Sequence, residues 1–222
     1  MSKLISESRH GPGHKSASLT ELAHRVLRAA ILRGEIEEGK FLTEVEAQRK
    51  FKIGHTPFRE ACNRLLHEGL VELMPRRGYF VPQMSLRTLR NIFEARHLVE
   101  GYAAELAASR ATGDQIRSMG ALLDQSLPSK LDASTVEVIV SANSGFHRCL
   151  AEMTQNDEIA QMVDSLLDRS SRLVYFFKAD KPLFHVHAIH RQIFHAIRKH
   201  DAEEAKRLVI SDIQAGQAEL FR

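Results

Sequence analysis

Tryptophan is absent and aromatic residues make up only 6% of the chain. That scarcity suits aliphatic helix packing better than a β-sandwich core. There are two cysteines, Cys62 and Cys149, both inside helical patterns with apolar neighbours. They read as small buried hydrophobes and exclude a disulfide framework. No apolar run approaches the roughly 20 residues of a membrane helix. The first residues, MSKLISESRHGPGHKSAS, lack the apolar stretch of a signal peptide, so a reducing cytoplasmic location and no membrane partner are expected. Also missing are a His-Glu-x-x-His run, a nucleophile elbow, a phosphate-binding glycine loop and paired catalytic carboxylates, which argues against an enzyme.

What is present divides the chain in two. Residues 1–82 hold 14 Lys/Arg against 10 Asp/Glu, and residues 83–222 hold 17 against 18. All the excess positive charge of the chain lies in the front third, as a surface that meets phosphate requires. Residues 1–17 are rich in Ser, Gly and His and read as a flexible arm. Helical periodicity begins at Leu19, with Leu22, Val26, Ala29, Ala30 and Leu32 on one face, and Gly34 ends it. Thr43 and Glu46 form a capping-box signature that opens a second helix through Phe51. Lys52-Ile53-Gly54 is a turn in which Gly54 is expected to supply a positive φ. A third helix is expected to start with Thr56 as N-cap and Pro57 at its first position. It buries Phe58, Ala61, Cys62, Leu65 and Leu66 and ends at Gly69. Residues 70–74 and 79–81 read as two strands around Pro75-Arg76-Arg77-Gly78.

Helix, turn, helix and β-ribbon in that order make residues 18–82 a winged helix-turn-helix, an arrangement that lays one helix in the DNA major groove. Arg59, in the first turn of that helix, can donate two hydrogen bonds to a guanine edge, a contact worth roughly 1–3 kcal/mol of discrimination. Thr56 and His55 stand at the helix entrance, and Arg76 and Arg77 at the wing tip can reach the adjacent backbone or minor groove. The ordinary alternative for Arg59 is a solvated side chain paired with Glu60 or Glu68.

Beyond Pro82 strand signals disappear. Helical patterns run over about 85–110, 112–126, 134–154, 156–178, 183–200 and 201–221, with breaks at Thr112-Gly113, Pro128-Ser129, Gln155-Asn156 and Lys181-Pro182. Each is amphipathic, so residues 83–222 read as an antiparallel bundle. The fold class is therefore mainly α: an N-terminal winged helix-turn-helix followed by an all-α bundle.

Residues 19–82 resemble the DNA-binding domain of the GntR family of bacterial transcription regulators. The resemblance is carried by Ile31-Leu32-Arg33-Gly34, Gly39, Thr56-Pro57-Phe58-Arg59-Glu60-Ala61, Leu65, Glu68-Gly69-Leu70-Val71 and Pro75-Arg76-Arg77-Gly78-Tyr79-Phe80-Val81. The chain departs from the family pattern at Gly54-His55, where Ser-Arg is usual, and at Val45, where a second basic contact is expected. Both departures imply an altered operator preference, with more of the contact falling to Arg59 and the wing.

Residues 85–221 resemble the effector domain of the FadR branch, the FCD type. The resemblance implies a divalent metal and a small organic acid inside the bundle. On the family pattern the metal ligands fall on Asn143, His147, His190 and Asp212, the last where the family usually has His. Two imidazoles, a carboxylate and an amide suit Zn, Ni or Mn. Arg96, which shares a helix face with Glu100, and Arg148, Arg172 and Tyr175 are candidates for the effector carboxylate. His185, His187, His190, His195 and His200 crowd sixteen residues, and surface placement is the ordinary expectation for most of them. The implied function is a homodimeric, effector-controlled regulator on a palindromic double-stranded DNA operator. The alternatives are a DNA-binding dimer without an effector and, further off, a metal-dependent enzyme built on the histidine cluster.

Overall fold

A computed structural model describes residues 18–125, 135–176 and 185–220. The arm expected over residues 1–17 and the breaks expected at Pro128-Ser129 and Lys181-Pro182 lie outside the described residues.

The head begins with α1 (Leu19–Leu32), opened by a capping box between Ser18 and Glu21. Its inward stripe is Ala23, Leu27, Ala30 and Ile31, rotated from the expected one, and Leu22 stays half exposed. Helix α2 (Glu44–Phe51) is capped by the Thr43 side chain, which accepts from the Glu46 amide. Helix α3 (His55–His67) crosses α1 and seats Phe58, Ala61, Cys62 and Leu65 against it. Burial pushes the Cys62 thiol up to about 12, in keeping with a small hydrophobe.

Two expectations at the corner between α2 and α3 are corrected. The residue with positive φ is Lys52 (φ 59°), not Gly54, which is extended (φ −80°, ψ 172°) and serves as the N-cap of α3. The helix consequently starts two residues earlier than a Thr56 cap predicts, and Pro57 occupies its third position. The cause is local: the left-handed Lys52 returns its amide to the carbonyls of Ala47 and Gln48 and closes α2, so the chain is already redirected before it reaches Gly54.

The wing is a three-stranded antiparallel sheet of order β1-β3-β2. Strand β3 (Gly78–Phe80) pairs with β2 (Glu72–Met74) and with β1 (Phe41–Leu42), a short strand with no sequence signal of its own. Leu70 and Val71 are core residues ahead of β2 rather than part of it. At the wing tip Arg76 (φ 63°) and Gly78 (φ 97°) both take left-handed backbone, a need that Gly78 meets at no steric cost.

The second part comprises α4 (Leu86–Arg110), α5 (Gly113–Leu123), α6 (Val136–Glu152), α7 (Asp157–Phe176), α8 (His185–Arg198) and α9 (Ala202–Leu220). Helix α4 is the axis: it packs against α6, α7, α8 and α9. Small residues allow a close approach to α9, since a Cβ on Gly101 would stand 3.1 Å from the Ile210 side chain. Among the described residues no helix is long and apolar enough to cross a membrane.

Candidate functional site

Two clusters of functional side chains stand far apart in character. The first is the exposed entrance of α3. Arg59 and Thr56 are exposed, and the carboxylates that could have quenched Arg59 are engaged elsewhere. Glu60 accepts from the Thr20 hydroxyl, and Glu68 contacts His24 at 2.6 Å and Arg28 at 3.6 Å. The His55 Nδ1 lies 2.6 Å from Glu44 Oε2 at the start of α2, which fixes its ring at the corner. Val45, beside Glu44, is 78% exposed. On the wing Arg76 is exposed at the turn, and the Arg77 guanidinium lies 4.3 Å from the centre of the Phe41 ring. The structure thus brings His55, Thr56 and Arg59 together on one helix end, with Arg76 and Arg77 on the wing.

The second cluster is buried in the bundle, where α6, α8 and α9 each present one ionisable residue and α4 presents Arg96 and Glu100. His147 of α6 is 1% exposed, His190 of α8 3% and Asp212 of α9 9%. The Asp212 Oδ2 stands 3.2 Å from His147 Nε2 and 3.3 Å from His190 Nε2. All three ligand atoms lie within 4.8 Å of one another. A tetrahedral ion with bonds of about 2.0 Å has ligand-to-ligand edges of about 3.3 Å, so the donor set fits a first-row divalent metal. The Phe146 ring stacks on His190 at 3.9 Å between centroids and holds its plane. Asn143, one turn before His147, is only partly buried.

Glu100 of α4 belongs to this cluster, and no motif marked it as part of the site. It is wholly buried. One oxygen takes the Arg96 Nε–H at 2.6 Å, and the other lies 2.6 Å from His147 Nδ1. Burial would raise this carboxyl, but Arg96 and then His147 outweigh it and hold it at about 2. Burial would likewise lower His147, yet Glu100 and Asp212 outweigh it and hold the imidazole at about 9. Asp212 is disfavoured by burial but is held well below the usual carboxylate range by hydrogen bonds to His147 and His190. A detectable signal did exist: Leu89, Phe93, Arg96, Glu100, Ala103 and Ala107 follow one helical stripe, so the two charges fall in the core phase of α4.

The other expected effector contacts are not gathered here. Arg148 bonds Asp164 and Asp168 of α7. Arg172, 5% exposed, donates to Glu38 at 2.9 Å and to the Pro82 carbonyl at 3.2 Å. Both arginines face the boundary with the head. Tyr175 lies on α7 with its side chain outside the described residues. Arg96 alone of the four adjoins the cluster, through Glu100.

Comparison with known proteins agrees with this division. The family model "Bacterial regulatory proteins, gntR family" matches residues 19–81, and the model "FCD domain" matches residues 91–215. The Nta operon transcriptional regulator of Aminobacter aminovorans is 30% identical over 177 residues, covering 79% of this chain and 82% of that protein. The HTH-type transcriptional repressor RspR of Escherichia coli K12 is 26% identical over 192 residues, covering 86% and 84%. Among solved structures, E. coli McbR/YncC shares the fold with a TM-score of 0.75 at 21% identity, over 93% of this chain and 98% of that one.

Proposed function

The chain belongs to the gntR family of bacterial regulatory proteins, with an FCD domain as its second part, and from that premise we propose how its DNA binding is controlled. It is a DNA-binding transcription regulator. In the proposed reading the affinity for an operator is set at the His147–His190–Asp212 cluster, both by a divalent metal held there and by a small carboxylate bound with it. His147, His190 and Asp212 hold the metal, with Asn143 one turn away on α6. Bound there, the metal would supply a Lewis-acid contact for the effector carboxylate. Arg96 is the guanidinium nearest the site and is the partner for a second oxygen of that acid. Glu100 faces His147 Nδ1 and so leaves Nε2 to the metal, the outer-shell arrangement that orients a ligating imidazole.

The observation that carries this reading is the convergence of three buried ligand atoms from α6, α8 and α9, all within 4.8 Å of one another and both imidazoles 3.2–3.3 Å from the Asp212 carboxylate. Operator reading falls to Arg59 and the wing. A homodimer on a palindromic site would place two α3 helices about one DNA turn apart. The test is metal analysis of untagged protein followed by a thermal-shift screen of organic acids with and without zinc. The reading requires about one metal per chain and a shift that an acid produces only when metal is present. Metal-free protein whose DNA binding still responds to an acid would overturn it.

A further inference from the structure

We propose that Asp168 of α7 and Arg148 of α6 form a relay that couples the buried cluster to the DNA-reading head. Asp168 is 2% exposed, yet it is shared by two guanidiniums from different parts of the chain. Arg28 of α1 grips both its oxygens, with Nε at 2.8 Å from Oδ2 and a second nitrogen on Oδ1. Arg148 donates to the same Oδ1 at 2.7 Å. Arg148 is the residue next to His147, so any rotation or shift of α6 at His147 is delivered to Asp168 one residue later.

The relay continues into the head. Arg28 also faces Glu68, the C-cap of α3, at 3.6 Å, and His24 of α1 holds the other Glu68 oxygen at 2.6 Å. The Glu68 carbonyl in turn receives the Ser165 hydroxyl of α7 at 3.4 Å. Charges therefore alternate along Glu68, Arg28, Asp168, Arg148 and Asp164, joining the end of the recognition helix to the helix that carries His147. A second clamp fixes the connecting segment: Arg172 takes Glu38 and the Pro82 carbonyl, and Glu38 takes the Met84 amide at 3.1 Å. Burial makes the shared carboxylate sensitive, because removing either arginine leaves a charge with half its compensation in a low-dielectric site. A two-state element of this kind transmits only what the two sites bias differently. Its regulatory meaning rests on the reading of the His147 cluster as the effector site, whereas its mechanical part does not.

The experiment uses the full chain with Arg148→Gln, and Arg148→Lys as the conservative control. Among the described residues the hydrogen bonds of Arg148 go to Asp164 and Asp168 of α7, so a merely local role would leave α1 unchanged. In metal-free protein, hydrogen exchange of the Leu19–Leu32 amides is expected to quicken at least about fivefold in R148Q and to recover in R148K. Unchanged exchange in α1 overturns the relay. Zinc is then added, with DNA affinity read on a duplex selected by the wild-type protein from a random pool. R148Q is expected to bind zinc as the wild type does while its duplex affinity no longer responds. A retained zinc response in R148Q, or zinc uptake without any response in the wild type, overturns the relay as a coupling device. A wild type that takes up no zinc defeats the metal-site reading instead, and the α1 exchange result then decides the relay alone.

Discussion

The head and the bundle use charge in opposite ways. At the entrance of α3, Arg59, the proposed base reader, is exposed and has no carboxylate partner among the described residues, because Glu60 and Glu68 are bound elsewhere. In the bundle every charge of the cluster is buried and matched: Arg96 to Glu100, Glu100 to His147, and His147 and His190 to Asp212. A surface that must meet phosphate keeps its cations available. A site closed to water holds charges only in mutual compensation. Removing a charge should therefore cost binding in the head and folding in the bundle.

The largest effect is expected at Glu100→Ala, which strands Arg96 and His147 in the core. Breaking a buried pair costs roughly 3–5 kcal/mol, read as a shift in the urea unfolding midpoint. A loss below about 1 kcal/mol, the scale of an exposed pair, would break the contrast. Arg59→Ala is the counterpart in the head. Its stability should stay within about 0.5 kcal/mol of wild type, while specific duplex affinity falls by roughly 1–3 kcal/mol. Equal loss on specific and random duplexes would remove its base-reading role.

The pH response sharpens the same contrast. In metal-free protein His147 is raised from 6.5 to about 9, so its contribution to stability is complete below pH 6.5 and is lost as pH rises through about 9. Glu100 is lowered from 4.5 to about 2, so its contribution is present above pH 4.5 and is lost as pH falls toward 2. The thermal midpoint should be highest between these limits and fall on both sides, the two groups titrating as a linked pair. Because a ligating imidazole must be neutral, zinc uptake near pH 7 should release about one proton. Calorimetry in two buffers of different ionisation enthalpy measures it, and no buffer dependence would contradict a protonated His147.

The smallest effect is expected at Gly54→Ser. With φ at −80° and nothing within 4 Å of an added Cβ, the change should alter head stability by no more than a few tenths of a kcal/mol. A loss of about 1 kcal/mol or more, the scale of a left-handed penalty, would restore the turn expected from the sequence.

The same contrast explains what could be read in the chain. The proposed DNA-reading residues lie within residues 55–77, where local rules of caps, helix phase and turns apply, so the elements that carry them were legible and the corner was misplaced. There the left-handed position went to Lys52, where local spacing favoured Gly54. The six bundle helices followed from periodicity. His147, His190 and Asp212 come from three of those helices; the family phase named them as candidates, and the fold brings them together. Glu100 was marked only by its phase on the α4 stripe, a signal easily passed over because an Arg and a Glu at i, i+4 also suit an exposed pair. The role of Arg148 depended on Asp168 of the neighbouring bundle helix α7, and that of Arg172 on Glu38, which meets it only where the head docks. Arg28 and Asp168 are 140 residues apart, and no local pattern announces such a pair. Strand β1 exists only because β3 offers it an edge.

The central question is whether the buried cluster governs DNA binding by the exposed head. The deciding measurement is duplex affinity of the full chain across a zinc titration, in wild type and in His190→Ala. The account predicts that zinc shifts the wild-type affinity and leaves His190→Ala unmoved at the metal-free value. An identical zinc response in both proteins would contradict it.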